Sequence, residues 1–158
     1  MASDDGWKAI VASSLDWEQA HASLDAAIKG LPADLRGKRP DNFPHSVWDL
    51  LDHIRRTQND LLEFCRNPKY AEPKWPEHYW PRGEAPPDGA AWDASVAAFR
   101  RDLAALQRLA ADAKVDLFAK IPHGTGQTYL RELILALDHN AYHIGELVAV
   151  RRLLGVWK

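Results

Sequence analysis

From Tyr129 to Leu154 the chain runs as one helical apolar pattern with no proline and a single glycine, and the fold must be built around it. Leu130, Leu133, Ile134, Leu137, Ala141, Ile144 and Val148 make one stripe at three-four spacing. Ala136, His139, His143, Leu147, Val150 and Leu154 make a second, roughly a third of a turn or more around the axis. A helix apolar on most of its circumference is central, or serves an interface as well as a core. His139 and His143 lie in the second stripe, one turn apart, so both imidazoles share a face.

Three further stretches read as helices. The first is expected from about Asp5 to Lys29, with Trp7, Ile10, Val11, Trp17, His21, Leu24 and Ile28 at helical intervals, and with Gly30, Leu31 and Pro32 to stop it. The second opens at Ser46, whose hydroxyl can cap while Asp49 reaches back, and ends near Asn67-Pro68. The third starts near Ala91 and carries Trp92, Val96, Phe99, Leu103, Leu106 and Ala110. The long fourth helix ends at Gly155. Alternating strand patterns and internal repeats are absent. The expected fold is all-α, a four-helix bundle with long interhelical crossovers, in a single domain over 1–158.

Residues 31–45 and 113–127 are long links for such a bundle, and the longest runs from Asn67 to Ala90. It holds six prolines and the run Lys74-Trp75-Pro76-Glu77-His78-Tyr79-Trp80-Pro81. Proline stiffens it and tryptophan provides surface to bury, so it is expected to be ordered. It either walls a pocket or is a packed crossover without a role. Seven tryptophans in so short a chain imply a core or pocket built from large aromatic surfaces.

Charge and cysteine content exclude some functions. A net charge of −2 leaves no basic excess to neutralise phosphates, which argues against a nucleic-acid binder. The single Cys65 cannot form an internal disulfide, and no apolar run has the length of a membrane span. The expected setting is a soluble protein of the cytoplasm, with a small-molecule substrate.

His53 lies in the second helix among Leu50, Leu51 and Ile54. Two stacked imidazoles from one helix and a third from a neighbour make part of a metal shell with positions left for water or substrate. Neutral imidazole suits zinc, nickel, copper or iron. Three neutral ligands leave the ion its full charge, so a water or thiol there would ionise near neutral pH. No Ser or Cys flanks the histidines to act as a protein nucleophile. The competing reading of His139 and His143 is a pair of core histidines hydrogen-bonded to side chains or backbone.

Trp48-x-Leu50-Leu51-x-His53, Ile121-Pro122-His123-Gly124-x-Gly126-Gln127-Thr128, and Asp138-His139-Asn140-x-Tyr142-His143-x-Gly145 followed by Arg151-Arg152-Leu153-Leu154-Gly155 resemble the DinB/YfiT-like superfamily. The resemblance covers nearly the whole chain. It implies a four-helix bundle, a divalent metal held by His53, His139 and His143, and a homodimer. The ion expected is zinc or nickel, with iron next. Characterised members include transferases and isomerases that use low-molecular-weight thiols. Glu146 stands where the family often has Gln.

Other residues are weaker candidates. Glu18 and His21 make one Glu-x-x-His pair, but a di-iron bundle needs two and further carboxylates. His21 is instead expected to line a pocket or the core. His123 reads as a loop residue, and His45 and His78 as partly exposed. Asp52 and Asp138 read as surface or salt-bridging groups. Tyr142 and Glu146 are expected near the ion as catalytic residues, with Trp80 or Tyr79 as the aromatic wall that binds a thiol or substrate. Two functions remain open: a metal-dependent transferase or hydrolase that activates a small thiol or water, or a non-catalytic metal-binding helical dimer.

Overall fold

The computed structural model describes residues 5–18 and 20–157. Its helices are α1 (Asp5–Ser14), α2 (Leu24–Ile28), α3 (Val47–Arg66), α4 (Gly89–Ala111) and α5 (Tyr129–Leu153), with a short 3-10 turn at Ala33–Leu35. Among the described residues the only extended pairing is one bridge between Lys120 and Thr128. The all-helical expectation holds.

Helix α3 is the hub. It packs against both α4 and α5, while α1 lies on α4 and α2 on α5. Its start follows from sequence: the Ser46 hydroxyl accepts from the Asp49 backbone at 3.1 Å, and the Asp49 carboxylate accepts from the Ser46 backbone at 2.8 Å. That reciprocal cap satisfies two amides that the first turn leaves unpaired. At α5 the Thr128 hydroxyl alone caps, accepting from the Arg131 amide at 3.2 Å, and Gly155, at φ 72°, takes the left-handed turn that ends the helix. Leu50, Leu51, Ile54 and Leu62 of α3, Leu106 of α4, and Leu133 and Leu147 of α5 form the core, and Leu117 and Ile121 plug it from the α4–α5 link.

The expected single helix from Asp5 to Lys29 is two helices with a turn between them. Ser13 and Ser14 turn their hydroxyls back to the carbonyls of Ile10 and Val11, which competes with the helical ladder. Ser23 then caps a new helix by accepting from the Ala26 amide. His21 consequently leaves the inward face. It is exposed, bonds the carbonyl of Ala22, and lines only a small crevice beside Leu15 and Ile144.

The tryptophans also depart from expectation. Trp48 and Trp92 are core residues with ring centroids 6.4 Å apart, whereas Trp17 and Trp75 are exposed. Trp7 and Trp157 are half-buried. Asp52 is the salt-bridging group of the two alternatives and not the surface one. It is 3% exposed and accepts from Arg55, Arg56 and Ser95.

A polar staple crosses the core. Gln58 of α3 is fully buried; its Nε2 donates to the Phe99 carbonyl of α4 at 2.8 Å, and its Oε1 accepts from Asn140 of α5 at 2.8 Å. One side chain thus sets the register of three helices.

The α3–α4 crossover, residues 67–88, is fastened along α3. Tyr70 and Tyr79 both donate to Asp60, Arg56 donates to the His78 carbonyl, and Ser46 to the Glu84 carbonyl. Gly37 permits the last of these contacts, because a Cβ there would lie 2.3 Å from the Cβ of Ala85. Ordered by these anchors, the crossover is a wall of the histidine site.

Candidate metal centre

His53 comes from α3, and His139 and His143 come from α5 one turn apart. Packing of α3 on α5 brings one potential ligand nitrogen of each within 4.8 Å of the others. His53 Nε2 and His139 Nε2 are 3.1 Å apart. Imidazole–metal bonds of about 2.0–2.1 Å hold adjacent ligand nitrogens about 3.0–3.4 Å apart at octahedral to tetrahedral angles. The pair therefore already has the spacing of two ligands that share an ion.

The hydrogen bonds assign the lone pairs. His53 Nδ1 lies 2.8 Å from the Tyr79 carbonyl, which only accepts, so Nδ1 carries the proton and Nε2 is bare. His143 Nδ1 lies 2.7 Å from Glu146 Oε2 and donates to that carboxylate, so in the neutral ring Nε2 is the bare nitrogen. Two lone pairs thus meet at a point where His139 can donate to only one of them. His139 Nδ1 is itself buried without a partner among the described residues. This acceptor-rich set fits a cation better than it fits a closed hydrogen-bond network. The core-histidine reading accounts for the bonds of His53 and His143 but leaves His139 Nδ1 without a partner among the described residues.

Burial holds the His53 imidazole down at about 4, against the upward pull of the Tyr79 carbonyl. Burial, with the neighbouring His143 and His53, takes His139 down to about 3. Both rings are neutral at pH 7, the form that coordinates a metal.

Trp80 lies flat on His53, with centroids 3.9 Å apart and planes 2° from parallel. His45 stacks on Trp80 in turn, at 4.5 Å. The aromatic wall expected from the long crossover is therefore Trp80, backed by His45. Tyr79 enters the site through its carbonyl; its ring is buried and its hydroxyl is engaged by Asp60. Tyr142 is exposed at the rim, its ring edge-on to His143 at 4.9 Å. Glu146 sits behind His143 and orients it.

The remaining candidates lie outside the cluster. His123 Nε2 donates to the Phe64 carbonyl at 2.7 Å, His78 is exposed in the crossover, and Asp138 is exposed on α5. Burial pushes the Cys65 thiol up to about 12, so it stays protonated and unreactive. His45 was read from sequence only as a partly exposed residue, and Asp60 was not singled out. The signal for Asp60 was available: it follows His53 by two helical turns and so shares its face.

A family model described as the DinB superfamily matches residues 16–147, most of the chain. No significant match was found among curated proteins or among solved structures. No helix among the described residues is long and apolar enough to cross a membrane.

Proposed function

The chain belongs to the DinB superfamily, and on that premise we propose that it is a metal-dependent enzyme of the cytoplasm that transfers or hydrolyses a small molecule. The observation that carries this reading is the convergence of three imidazoles, each offering one ligand nitrogen within 4.8 Å of the others, two of them with the far nitrogen held by a hydrogen bond. His53, His139 and His143 would hold a divalent ion, zinc or nickel first and iron next. When bound, the ion supplies a Lewis-acid centre that brings the pKa of a water or small thiol toward neutrality.

The chain's own residues do the rest. The Tyr79 carbonyl and the Glu146 carboxylate fix the tautomers of His53 and His143 and raise their basicity. Trp80 excludes water from one flank of His53 and also lines a cleft of about 410 Å³ with Trp48, Arg56 and Pro81, where the body of a substrate fits. Tyr142, exposed at the rim, is placed to touch a substrate as it enters.

The test is turnover. Metal-loaded protein is screened with several low-molecular-weight thiols against electrophilic substrates, with His53→Ala as the control. Thiol consumption that requires both metal and His53 is expected. A fully metallated protein without turnover of any thiol or hydrolysable ester would favour the second reading, a metal-binding module. That reading draws on a cleft of about 460 Å³ that lies beside Arg151 and Trp157 and away from the histidines.

The same reading includes a homodimer. Ile134 and Gly145 are exposed on one face of α5, with Ile134 53% exposed. A two-fold contact along this face would bury it. Light scattering at micromolar concentration should give twice the chain mass, and Ile134→Glu should give the monomer. A monomer mass for the unaltered chain would remove the dimer.

A further inference from the structure

Among the described residues, Asp60 is the one carboxylate that grips the α3–α4 crossover twice. Its Oδ1 accepts from the Tyr70 hydroxyl at 2.6 Å and its Oδ2 from the Tyr79 hydroxyl at 2.8 Å. Both phenols are held above their ordinary range, by burial first and by their bonds to Asp60 second, so both remain donors at neutral pH. Tyr79 then spans two turns of α3. Its hydroxyl is at Asp60, while its own carbonyl accepts from His53 Nδ1 at 2.8 Å. The next residue is Trp80, whose ring covers His53.

We propose that Asp60 is a positioning residue for the metal centre: through the Tyr79 hydroxyl it fixes the carbonyl that orients His53, and with it the Trp80 indole. This inference rests on the metal-binding reading of the three histidines. The physical argument is one of rigidity. A backbone carbonyl in a crossover of 22 residues, 67–88, fixes an imidazole only if the carbonyl is itself immobile. Asp60 lies on the same rigid helix as His53, so the anchor and the ligand move together. The other nearby anchor, from Arg56 to the His78 carbonyl, is longer at 3.2 Å and exposed.

The experiment compares Asp60→Ala, Tyr79→Phe and Tyr70→Phe with the unaltered chain and with His139→Ala. Tyr79→Phe removes one oxygen and keeps the claim testable if Asp60→Ala does not fold. Two quantities are read: Ni²⁺ affinity by titration, and solvent exchange of the His53 Nδ1–H proton by NMR in metal-free protein. Asp60→Ala and Tyr79→Phe are each expected to weaken Ni²⁺ binding by about tenfold or more, the scale of lost outer partners. Both should also speed exchange of the His53 proton. The double variant should bind no more weakly than Asp60→Ala, because both act through one path. Tyr70→Phe should change both readouts less. Tyr79→Phe with unaltered Ni²⁺ affinity and unaltered proton exchange overturns the proposal. If the unaltered chain and His139→Ala bind Ni²⁺ equally, the metal reading itself falls. The exchange rate then decides by itself whether Asp60 orients His53.

Discussion

Replacing His139 by alanine is expected to strip the protein of bound metal while leaving a helical fold. Its Nε2 lies 3.1 Å from His53 Nε2, and it is the only one of the three imidazoles whose other nitrogen has no partner. Losing an outer partner of a ligand costs about 10–100-fold in affinity, and losing the ligand itself should cost more. Elemental analysis of protein purified without added metal should give about one ion per chain for the native sequence and close to none for His139→Ala. Adding zinc or nickel should raise the melting temperature of the first protein and not of the second, because only a ligand that binds the native state stabilises it. Helix content should be retained, since the leucine core of α3, α4 and α5 does not depend on this ring. Equal metal content in the two proteins would sink the three-histidine assignment.

Replacing Gln58 by methionine is expected to be among the most destabilising changes of similar volume. Gln58 is fully buried and bonds both the Phe99 carbonyl and the Asn140 amide. Methionine fills the space but leaves the Asn140 donor unpaired in the core, and the Asn140 oxygen already has no partner there. A buried polar group left without its partner costs about 1–3 kcal/mol. Urea unfolding should show the midpoint falling with the slope unchanged. Removing both polar partners, as in Gln58→Met with Asn140→Leu, should recover much of the loss, because an apolar pair needs no hydrogen bond. A single Gln58→Met within about 0.5 kcal/mol of the native chain, the range of neutral surface changes, would show that the staple carries no net stability.

These two residues mark how differently the site and the fold were legible. His139 was readable because an i,i+4 pair on a helix shares a face whatever the helix packs against. Gln58 was not, because nothing local distinguishes a glutamine in the core from one in water; its burial depends on where α4 and α5 lie. Asp52 was legible in part. Its ion pairs with Arg55 and Arg56 follow from helical spacing, whereas its burial and its bond from Ser95 of α4 depend on how the helices pack. The break in the first helix was hidden too. No proline or glycine interrupts residues 7–29, and the interruption comes from serine hydroxyls and from the different partners of the two halves, α1 on α4 and α2 on α5.

The sequence by itself determined the helical class, the extents of the three longest helices, the reciprocal cap at Ser46 and Asp49, and the histidine pair of α5. All of these rest on contacts between residues a few positions apart, whose geometry the helix repeat dictates. That His53 meets the pair was implied by the family resemblance and is brought about by the packing of α3 on α5. Only the tertiary structure decided that the Tyr79 carbonyl and Glu146 orient two of the rings, and that the ring of Trp80, not that of Tyr79, lies on the site. His53 bonds a carbonyl 26 residues away and lies beside a histidine 86 residues away. Such pairings are set by how α3 packs on α5 and by how the crossover is anchored to α3, and helical periodicity carries no information about either.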